Sequence, residues 1–336
     1  MDWGQSYSAT WRVFRVNRNT WADAEELKNV DEINVSRTAD GELLESGSME
    51  LTGDFESDYY RIVMTAEQGG AVERVDVATL LFDVNGGEFN YGRTAHSVDG
   101  FSVLYPASTK TVIEGEFAPK GVDGAEYAAE LLSDSINAPI SVEGSFTLND
   151  HVVHEIGSSV LGAVWSVLNA GNFVMQIDGR GVVHIRPYPT EPSLIIDTSS
   201  MGIIMNGISF DSDISEVPNR YIVLTDNNKT IASNDDPEST ISTVARGYCV
   251  DKVDESPVPV NGETLSAYAD RKLHESSVMK EVKNYTREYA ADVHLYSLIR
   301  ASIDGLEGDM RVDSQTITCG RGITVQEKAV KEVPLW

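Results

Sequence analysis

The chain has 336 residues, and its 26 Lys and Arg against 53 Asp and Glu give a formal net charge of −27 at neutral pH. Hydrophobic residues make up 41% and charged residues 24%, as in ordinary globular proteins of two or three domains. So acidic a chain repels nucleic acid and anionic membranes, which excludes proteins that bind either by charge. The charge fits a highly soluble or salt-adapted surface, and it also fits a surface that faces a polyanion without binding it.

The cysteines and the N-terminus point to a protein made and folded in a cytoplasm. Cys249 and Cys319 are too few for a disulfide framework or a structural zinc site, and we expect both to be buried and reduced. The first residues lack the basic and apolar regions of a signal peptide. No apolar run approaches the ~18 residues of a transmembrane helix, so we expect no membrane insertion.

The first region, residues 1–117, is predicted to be a β domain. Side-chain alternation indicates strands at 6–16, 33–38, 43–51, 59–66 and 72–84, with shorter strands ending near 113–117. Turn sequences stand between them at Asp40-Gly41, Gly53-Asp54, Gln68–Gly70, Gly86-Gly87, Gly92 and Asp99-Gly100. Short strands at regular spacing predict a sandwich or a small barrel.

The second region, residues 118–189, is predicted to be a small α+β lobe. It begins with a helix over 124–137 and a short strand over 140–148. A second helix is expected over 150–169, with Asp150 as its N-cap and Gly171 as a left-handed stop. Its apolar face is predicted from three- and four-residue spacing to contain Val153, Ile156, Val160, Leu161, Val164 and Leu168. A hairpin of 173–177 and 182–186 follows, around the turn Asp178–Gly181.

The third region, residues 190–336, is predicted to be a second β domain with an inserted helix at about 262–277. Strands are indicated at 194–196, 203–210, 219–225, 281–289, 294–303, 310–318 and 322–333, with a polar loop in 226–238. The strands at about 190–213 are alternative candidates to complete the first domain. The expected class is α+β and mostly β, with two β-barrel-like domains flanking the lobe.

No catalytic signature occurs in the sequence, which lacks a P-loop, a G-x-S-x-G elbow and a G-x-G-x-x-G motif after a strand. His151, His154 and Glu155 stand together, but they lack the spacing of a zinc helix, and a solvated helix start explains them better. We expect no catalytic residues, no metal or cofactor-binding residues and no cofactor.

Acidic pairs and tryptophans leave weaker alternatives. Asp211 with Asp213 and Asp235 with Asp236 carry little weight as hydrolase carboxylates in so acidic a chain. Calcium ligands at Asp226 with Asn228, or at Asp235 with Asp236, do not match the EF-hand spacing. The tryptophans are expected to be core or interface anchors, with sugar platforms as the alternative: Trp3, Trp11, Trp21, Trp165 and Trp336.

Several segments, in their order along the chain, resemble the baseplate hub or tail-tip hub proteins of tailed bacteriophages and prophages. The N-terminal part is carried by YSATWRVFRVNRNTWADAEEL, LLESGSMEL and YYRIVMTAEQGGAVERVDVATLLF. The later part is carried by HIRPYPTEPSL, EVPNRYIVL, STVARGYCV, LSAYADRKLHE and SIDGLEGDMRVDSQTITCGRGITVQEKAV. These are packing and turn patterns, and together they cover most of the chain.

The resemblance implies a non-enzymatic structural protein of the virion tail, assembled in the host cytoplasm. It implies a homotrimer in which two similar β domains per subunit form a ring of pseudo-sixfold symmetry. Such a ring adapts tail tube or distal tail proteins above to a spike or tip below, and DNA passes through its channel without specific binding. Some relatives carry a lysozyme or peptidase domain, and we expect none here. The alternatives are a receptor- or carbohydrate-binding tail protein and an acidic-site hydrolase.

Overall fold

β-Strands with alternating side chains are the main elements of the computed structural model, which describes residues 1–90, 93–200, 203–225, 228–255, 263–320 and 322–336. Strands account for 49% and helices for 14%, so the predicted class, α+β and mostly β, is confirmed. The expected turn at Gly92, the candidate calcium ligand Asp226 and residue 262, where the inserted helix was expected to begin, lie outside the described residues.

The elements have the following bounds. The chain begins with β1 (Ser8–Val16), β2 (Asp23–Leu27), β3 (Val30–Thr38), β4 (Glu45–Thr52), β5 (Asp58–Gln68), β6 (Ala71–Asn90) and β7 (Arg93–Phe101). It continues with α1 (Tyr105–Thr109), β8 (Glu116–Ala118), α2 (Gly124–Ser133), β9 (Ile140–Val142), β10 (Val152–His154), α3 (Val160–Ala170), β11 (Phe173–Ile177) and β12 (Val183–Pro187). The rest comprises β13 (Pro192–Ile196), β14 (Ile204–Ser212), β15 (Arg220–Leu224), β16 (Lys229–Ser233), α4 (Thr243–Arg246), β17 (Asp251–Asp254), α5 (Leu265–Ser276), β18 (Val278–Glu288), β19 (Leu298–Ile303), β20 (Leu306–Cys319) and β21 (Ile323–Pro334).

Packing divides the chain into two units. The first comprises Met1–Ile208 and Asn284–Ala329, and the second comprises Ser209–Lys283 and Val330–Trp336. The chain passes from one unit to the other within β14, β18 and β21. These boundaries differ from the sequence-based boundaries near residues 117 and 189, and the three-domain division stays a prediction.

One large sheet organises the first unit. Its strands follow the order β14-β18-β21-β20-β3-β4-β7-β6-β5-β1-β2, and β19 and then β13 branch from β20. The long strand β20 pairs first with β19 and then with β3, where Ser314 lies opposite Thr38 and Cys319 opposite Ile33. The pairing of β20 with β3 therefore joins the two predicted β regions. In the part of the chain that the structure describes, no sheet closes into a barrel.

The alternation that predicted these strands also builds their core. Every second side chain turns inward, and the innermost are almost fully buried: Ile33, Val35, Met49, Leu51, Ile62, Met64 and Ile317. Burial of each large apolar side chain contributes roughly 1.5–3 kcal/mol, so this face supplies the main stabilisation of the sheet.

The lobe contains the predicted helix and hairpin. Asp123 caps α2 by accepting a hydrogen bond from the N–H of Ala125 at 2.9 Å. Strands β11 and β12 form the expected antiparallel hairpin, and β9 adds a parallel third strand to β12. Both helices pack into the core that this small sheet helps to form.

The second helix of the lobe begins ten residues later than expected. Residues 152–154 form strand β10, and Gly157 has a φ of +94°, which a helix interior does not allow. The true N-cap is Ser159, whose hydroxyl accepts from the N–H of Gly162 at 2.9 Å. The prediction of Asp150 as cap is therefore wrong. At the helix end, Asn172 rather than Gly171 takes the left-handed conformation, with φ +56°.

Several predicted loops and turns are strands. Gly86-Gly87 lies within β6 and Asp99-Gly100 within β7. A Cβ on Gly100 would lie 2.8 Å from the Phe82 ring, so this glycine serves close packing and not a turn. Strand β16 lies in the expected polar loop. Three further elements, β2, α1 and α4, were not predicted from the sequence.

The second unit is built around a three-stranded sheet in the order β16-β15-β17. Helix α5, the expected inserted helix, covers one face of this sheet. The buried side chains between them are Tyr221, Val223, Ala232, Tyr268, Ala269 and Leu273. Trp336 stacks on the His274 ring of α5, with 3.8 Å between the ring centroids.

Candidate assembly surfaces

The two-stranded sheet of β8 and β10 presents apolar side chains to solvent. Phe117 and Val153 lie directly opposite each other in this antiparallel pair, so they share one face. The Cδ1 atom of Ile156 lies 3.9 Å from the position that a Cβ would take on Gly115. Together with Ile113 these residues form the lobe patch: Ile113, Phe117, Val153 and Ile156 are 81, 50, 71 and 69% exposed. Grouped large apolar side chains at such exposure mark a contact surface.

The residues around the lobe patch are mainly acidic. Glu114 and Glu155 are exposed and lie next to patch residues in the chain, exposed Asp150 lies next to His151, and the exposed bases on this segment are Lys110 and Lys120. The His151 ring packs edge-on against Phe117, with 5.1 Å between centroids. The patch is thus an apolar surface with an acidic border.

A second apolar row lies on the face of the β16-β15-β17 sheet that α5 does not cover, with exposed side chains at both ends and the largely buried Ile222 between them. Ile222 is paired with Ile231 on one side and with Val253 on the other, so the three side chains form a line across the strands. Ile231 is 46% and Val253 50% exposed. We call this surface the outer face.

The charges on the outer face differ from those of the chain as a whole. Arg220 makes a two-point ion pair with Asp251, at 2.5 and 2.6 Å. Lys229 is exposed and stands opposite Leu224, two residues from Ile222, and so on the same face. The pKa of Asp251 lies below its ordinary value because Arg220 bonds to it and, to a smaller extent, because Lys229 is near. Within these strands the outer face carries two cations and one anion.

A buried polar network fixes the large sheet. Arg37 on β3 donates from Nε to Glu45 Oε1 at 2.6 Å and from Nη2 to the carbonyl of Val77 at 2.8 Å. Arg37 Nη1 also reaches Gln315 Oε1 on β20 at 3.4 Å. Burial raises the pKa of Glu45, and Arg37 opposes that rise. The network connects strands that are distant in sequence.

Gln315 continues the network to a second ion pair. Its Nε2 donates to Glu327 Oε2 at 2.6 Å, and Arg287 binds both carboxylate oxygens of Glu327, at 3.0 and 2.6 Å. Burial would raise the pKa of Glu327, but Arg287 and the other donors hold it below its ordinary value. Glu327 is therefore ionised in the core.

The tip of the lobe hairpin is held against the large sheet. Thr79 Oγ1 on β6 donates to the carbonyl of Gly179 at 2.9 Å, and Trp21 Nε1 donates to the carbonyl of Arg180 at 2.7 Å. Gly181 has φ +75°, and a Cβ there would lie 2.9 Å from the Thr79 Cβ. The D-G-x-G turn is thus required both for hairpin geometry and for this close approach.

A histidine between two carboxylates braces the same hairpin. His184 Nε2 lies 3.1 Å from Asp178 Oδ2, and its Nδ1 lies 2.8 Å from Glu143 Oε1. The bond with Asp178 is the main cause that raises the pKa of His184, and Glu143 adds to it. His294 lies near by, and its burial lowers its pKa to about 3, so it stays neutral at ordinary pH.

The structure separates the two histidines considered as metal ligands. His154 is buried in β10, with Nε2 3.3 Å from the Tyr127 hydroxyl, whereas His151 is exposed and its Nδ1 accepts from the N–H of Lys120 at 3.2 Å. An extended segment turns residues three apart to opposite sides. Among the residues that the structure describes, no group of three or more His, Cys, Asp or Glu side chains could hold a metal ion.

The candidate carboxylates make local loop contacts. Asp235 accepts from Ser233 Oγ at 2.9 Å and from the Thr243 hydroxyl, and Asp236 accepts from the N–H of Glu238 at 2.9 Å. Asp213 accepts from the N–H of Ser215 at 2.7 Å, and Asp211 is exposed on β14. These bonds close turns and draw no two carboxylates together.

The tryptophans make packing contacts, and one cysteine differs from expectation. The indole N–H groups of Trp11, Trp21 and Trp165 donate to backbone carbonyls, and Trp3 is buried against Tyr7. These contacts favour packing anchors over sugar platforms. Both cysteines are free thiols, and Cys319 is buried as expected, whereas Cys249 is exposed.

Among the described residues, no helix combines the length and the apolar character needed to span a bilayer.

Comparison with solved structures identifies the fold. The chain is similar to the tail protein from Neisseria meningitidis MC58, with a TM-score of 0.66, 14% identity and 97% of each chain covered. It is similar to the 43 kDa tail protein of prophage MuSo2 from Shewanella oneidensis, with a TM-score of 0.61, 12% identity and coverage of 95% of this chain and 97% of that chain. It is also similar to a chain of the Francisella PdpA–VgrG complex, with a TM-score of 0.58, 8% identity and coverage of 97% of this chain and 58% of that chain.

These similarities show that the chain has the fold of phage and prophage tail proteins, as the segment resemblance predicted. No protein-family model matches the sequence. No curated protein matches it either.

Proposed function

We propose that the chain is a structural component of a phage or prophage tail, and that three copies form the hub ring of its baseplate or tail tip. The observation that carries the proposal is the fold, which matches a tail protein over 97% of both chains. A match over the whole length leaves no large part of the chain to be explained by another activity.

In this proposal each subunit supplies two ring-forming β domains, residues 1–117 and 190–336, and the lobe of residues 118–189 projects from them. Three subunits then present six β domains to a sixfold tail tube or distal tail protein above. The same trimer keeps threefold symmetry for a spike or tip below. The pairing of β3 with β20 joins the two β regions in one sheet, so the two proposed domains are held together within each subunit.

The ring is proposed to let DNA pass without holding it. Three copies carry three times the net charge of −27, and acidic walls offer phosphates no partners whose binding releases counterions. A basic wall would bind the DNA and slow its exit. The proposal places the protein in the virion tail after assembly in the host cytoplasm.

We propose no catalytic role. The described carboxylates considered as catalytic groups close turns, and the buried ions pair with one another in the large sheet. The packed tryptophans likewise give no support to a carbohydrate-binding tail protein.

The native mass and a projection image of the purified chain test the proposal. We expect a mass of three copies and a ring with a central channel. In tail particles from an induced prophage, an antibody to the chain should label the end of the tail tube. A particle of another symmetry, labelling elsewhere, or turnover of cell-wall polysaccharide would contradict it.

A further inference from the structure

A threefold ring needs two different surfaces on every subunit. In a cyclic trimer each copy contacts one neighbour with one surface and the other neighbour with a second, so the contact is heterologous. The described residues offer two exposed apolar surfaces of suitable chemistry, the lobe patch and the outer face. Each belongs to a different compact unit, so each is formed independently of the other.

Both surfaces have an apolar centre, and the charged residues at their borders differ in sign. The lobe patch presents Phe117 and Val153 on a short two-stranded sheet, and the outer face presents Ile231 and Val253 on either side of the buried Ile222. Glu114 and Glu155 adjoin lobe-patch residues in the chain, and Asp150 adjoins His151, whose ring packs on Phe117. Lys229 and the Arg220–Asp251 pair border the row on the outer face.

Charge also argues for a second copy as the partner. Chains of net charge −27 repel one another at long range, so contact needs apolar area and a local reversal of sign. Within its strands the outer face carries one excess cation, Lys229, beside the Arg220–Asp251 pair, whereas the chain as a whole is acidic. An acidic border in a second copy is complementary to that cation.

We propose that the lobe patch of one copy docks on the outer face of the next copy and forms the centre of the subunit contact. This inference rests on the proposed ring and names the surfaces that make it. Six exposed apolar side chains would be covered, and they would act as the anchors of a larger interface, since stable interfaces bury about 1,200–2,000 Å².

Two substitutions and one control test the contact by sedimentation at moderate salt. Val153→Asp alters the lobe patch and Ile231→Asp alters the outer face. Val72→Asp adds the same charge at a side chain that is 67% exposed on β6, outside both surfaces. We expect wild type and Val72→Asp to be trimers, and Val153→Asp and Ile231→Asp to be monomers whose circular dichroism spectra match that of wild type.

Mixing the two altered proteins gives the decisive result. The Ile231→Asp copy keeps its lobe patch and the Val153→Asp copy keeps its outer face, so one intact contact remains per pair. We expect a mixed dimer and no trimer. Monomers alone after mixing, or trimers from either variant by itself, would overturn the inference.

Charge exchange gives a second test that leaves the apolar side chains intact. Glu155→Lys and Lys229→Glu should each weaken assembly about tenfold or more, and the double variant should recover most of the loss. A double variant no better than the worse single variant would count against the contact.

The outcome for wild type separates this inference from the proposed function. A wild-type trimer that neither substitution disturbs refutes the contact and leaves the ring. A wild-type dimer or open filament that both substitutions abolish refutes the ring and leaves the contact. A wild-type monomer at high protein concentration refutes both.

Discussion

Gly179 at the hairpin tip approaches Asp76 so closely that a Cβ atom on the glycine would overlap the backbone carbonyl of the aspartate. Backbone cannot rotate away as a side chain can. The lobe hairpin and strand β6 are therefore held together at a point that only glycine permits.

Gly179→Ala should lower the free energy of unfolding by about 2 kcal/mol or more, because the overlap forces the hairpin tip away from the sheet. Urea denaturation measures the change. Gly320→Ala is the control, since a Cβ there meets no atom within 4 Å, and it should change stability by less than about 0.5 kcal/mol. Equal effects of the two would show that the tip does not pack as described.

Glu327→Gln should lower the free energy of unfolding by about 3–5 kcal/mol, because it leaves Arg287 charged and buried without its counter-ion. The matched control is Asp309→Asn, which removes the same two-point arrangement with Arg300 where both side chains are about half exposed. The control should cost less than about 1 kcal/mol. Chemical denaturation of both variants measures the contrast, and a small effect at Glu327 would argue against a buried ion pair.

Leu168→Ala should cost about 2–5 kcal/mol, because Leu168 is fully buried in the lobe core and its truncation leaves a cavity. Ile156→Ala, at a residue that the sequence pattern placed on the same helix face, should cost less than about 0.5 kcal/mol because Ile156 is 69% exposed. Thermal and urea unfolding check the pair. A large loss of stability on Ile156→Ala would instead support the longer helix that the sequence pattern predicted over 150–169.

The stabilisation by His184 should decrease as pH rises. Asp178 and Glu143 raise the pKa of His184 above its ordinary value, so the folded state favours the charged ring. That contribution is complete below the ordinary pKa and disappears as pH rises through the folded pKa. We expect the stability difference between wild type and His184→Gln to be larger at about pH 6 than at about pH 9. His294, with its pKa lowered to about 3, contributes nothing in this range. A difference independent of pH would mean that the ring is not charged.

Low salt should weaken assembly of the ring. Between about 0.01 M and 0.15 M salt the Debye length falls from roughly 30 Å to roughly 8 Å, which screens the repulsion between the acidic subunits. The close charge contact proposed between the lobe patch and the outer face is screened less, because its partners lie together. Sedimentation across a salt series measures the trimer fraction, and a trimer that dissociates as salt rises would contradict the expectation.

Local patterns predicted much of the fold, and failures occur where distant parts of the chain meet. The hairpin around Asp178–Gly181 was found because alternation and a D-G turn are local signals. Val153 and Ile156 stand at helical spacing from Val160, and the contrary signal, Gly157 followed by the capping Ser159, is only three residues long. A helix was therefore predicted over residues that form strand β10 and the turn that follows it.

The lobe patch, the outer face and the buried ion pairs could not be predicted from the sequence for a related reason. Arg37 and Gln315 are 278 residues apart, and nothing in either segment reveals that they meet. Charged side chains such as Arg287 and Glu327 read as exposed residues until the sheet surrounds them. The lobe patch was missed because Val153 and Ile156 were assigned to a helix core and Ile113 and Phe117 to a strand of the first domain, whereas the outer face includes β16, which was predicted to be loop.

The pairing of β3 with β20 has a consequence for biosynthesis. At about 5–20 residues per second, a ribosome makes the partner of β3 roughly 15–60 s after β3 itself. Throughout that time one edge of the nascent sheet stays open and could pair with the same edge on a neighbouring polysome. Mutual repulsion among acidic nascent chains opposes such pairing, so the charge excess protects the protein while it is still unfinished.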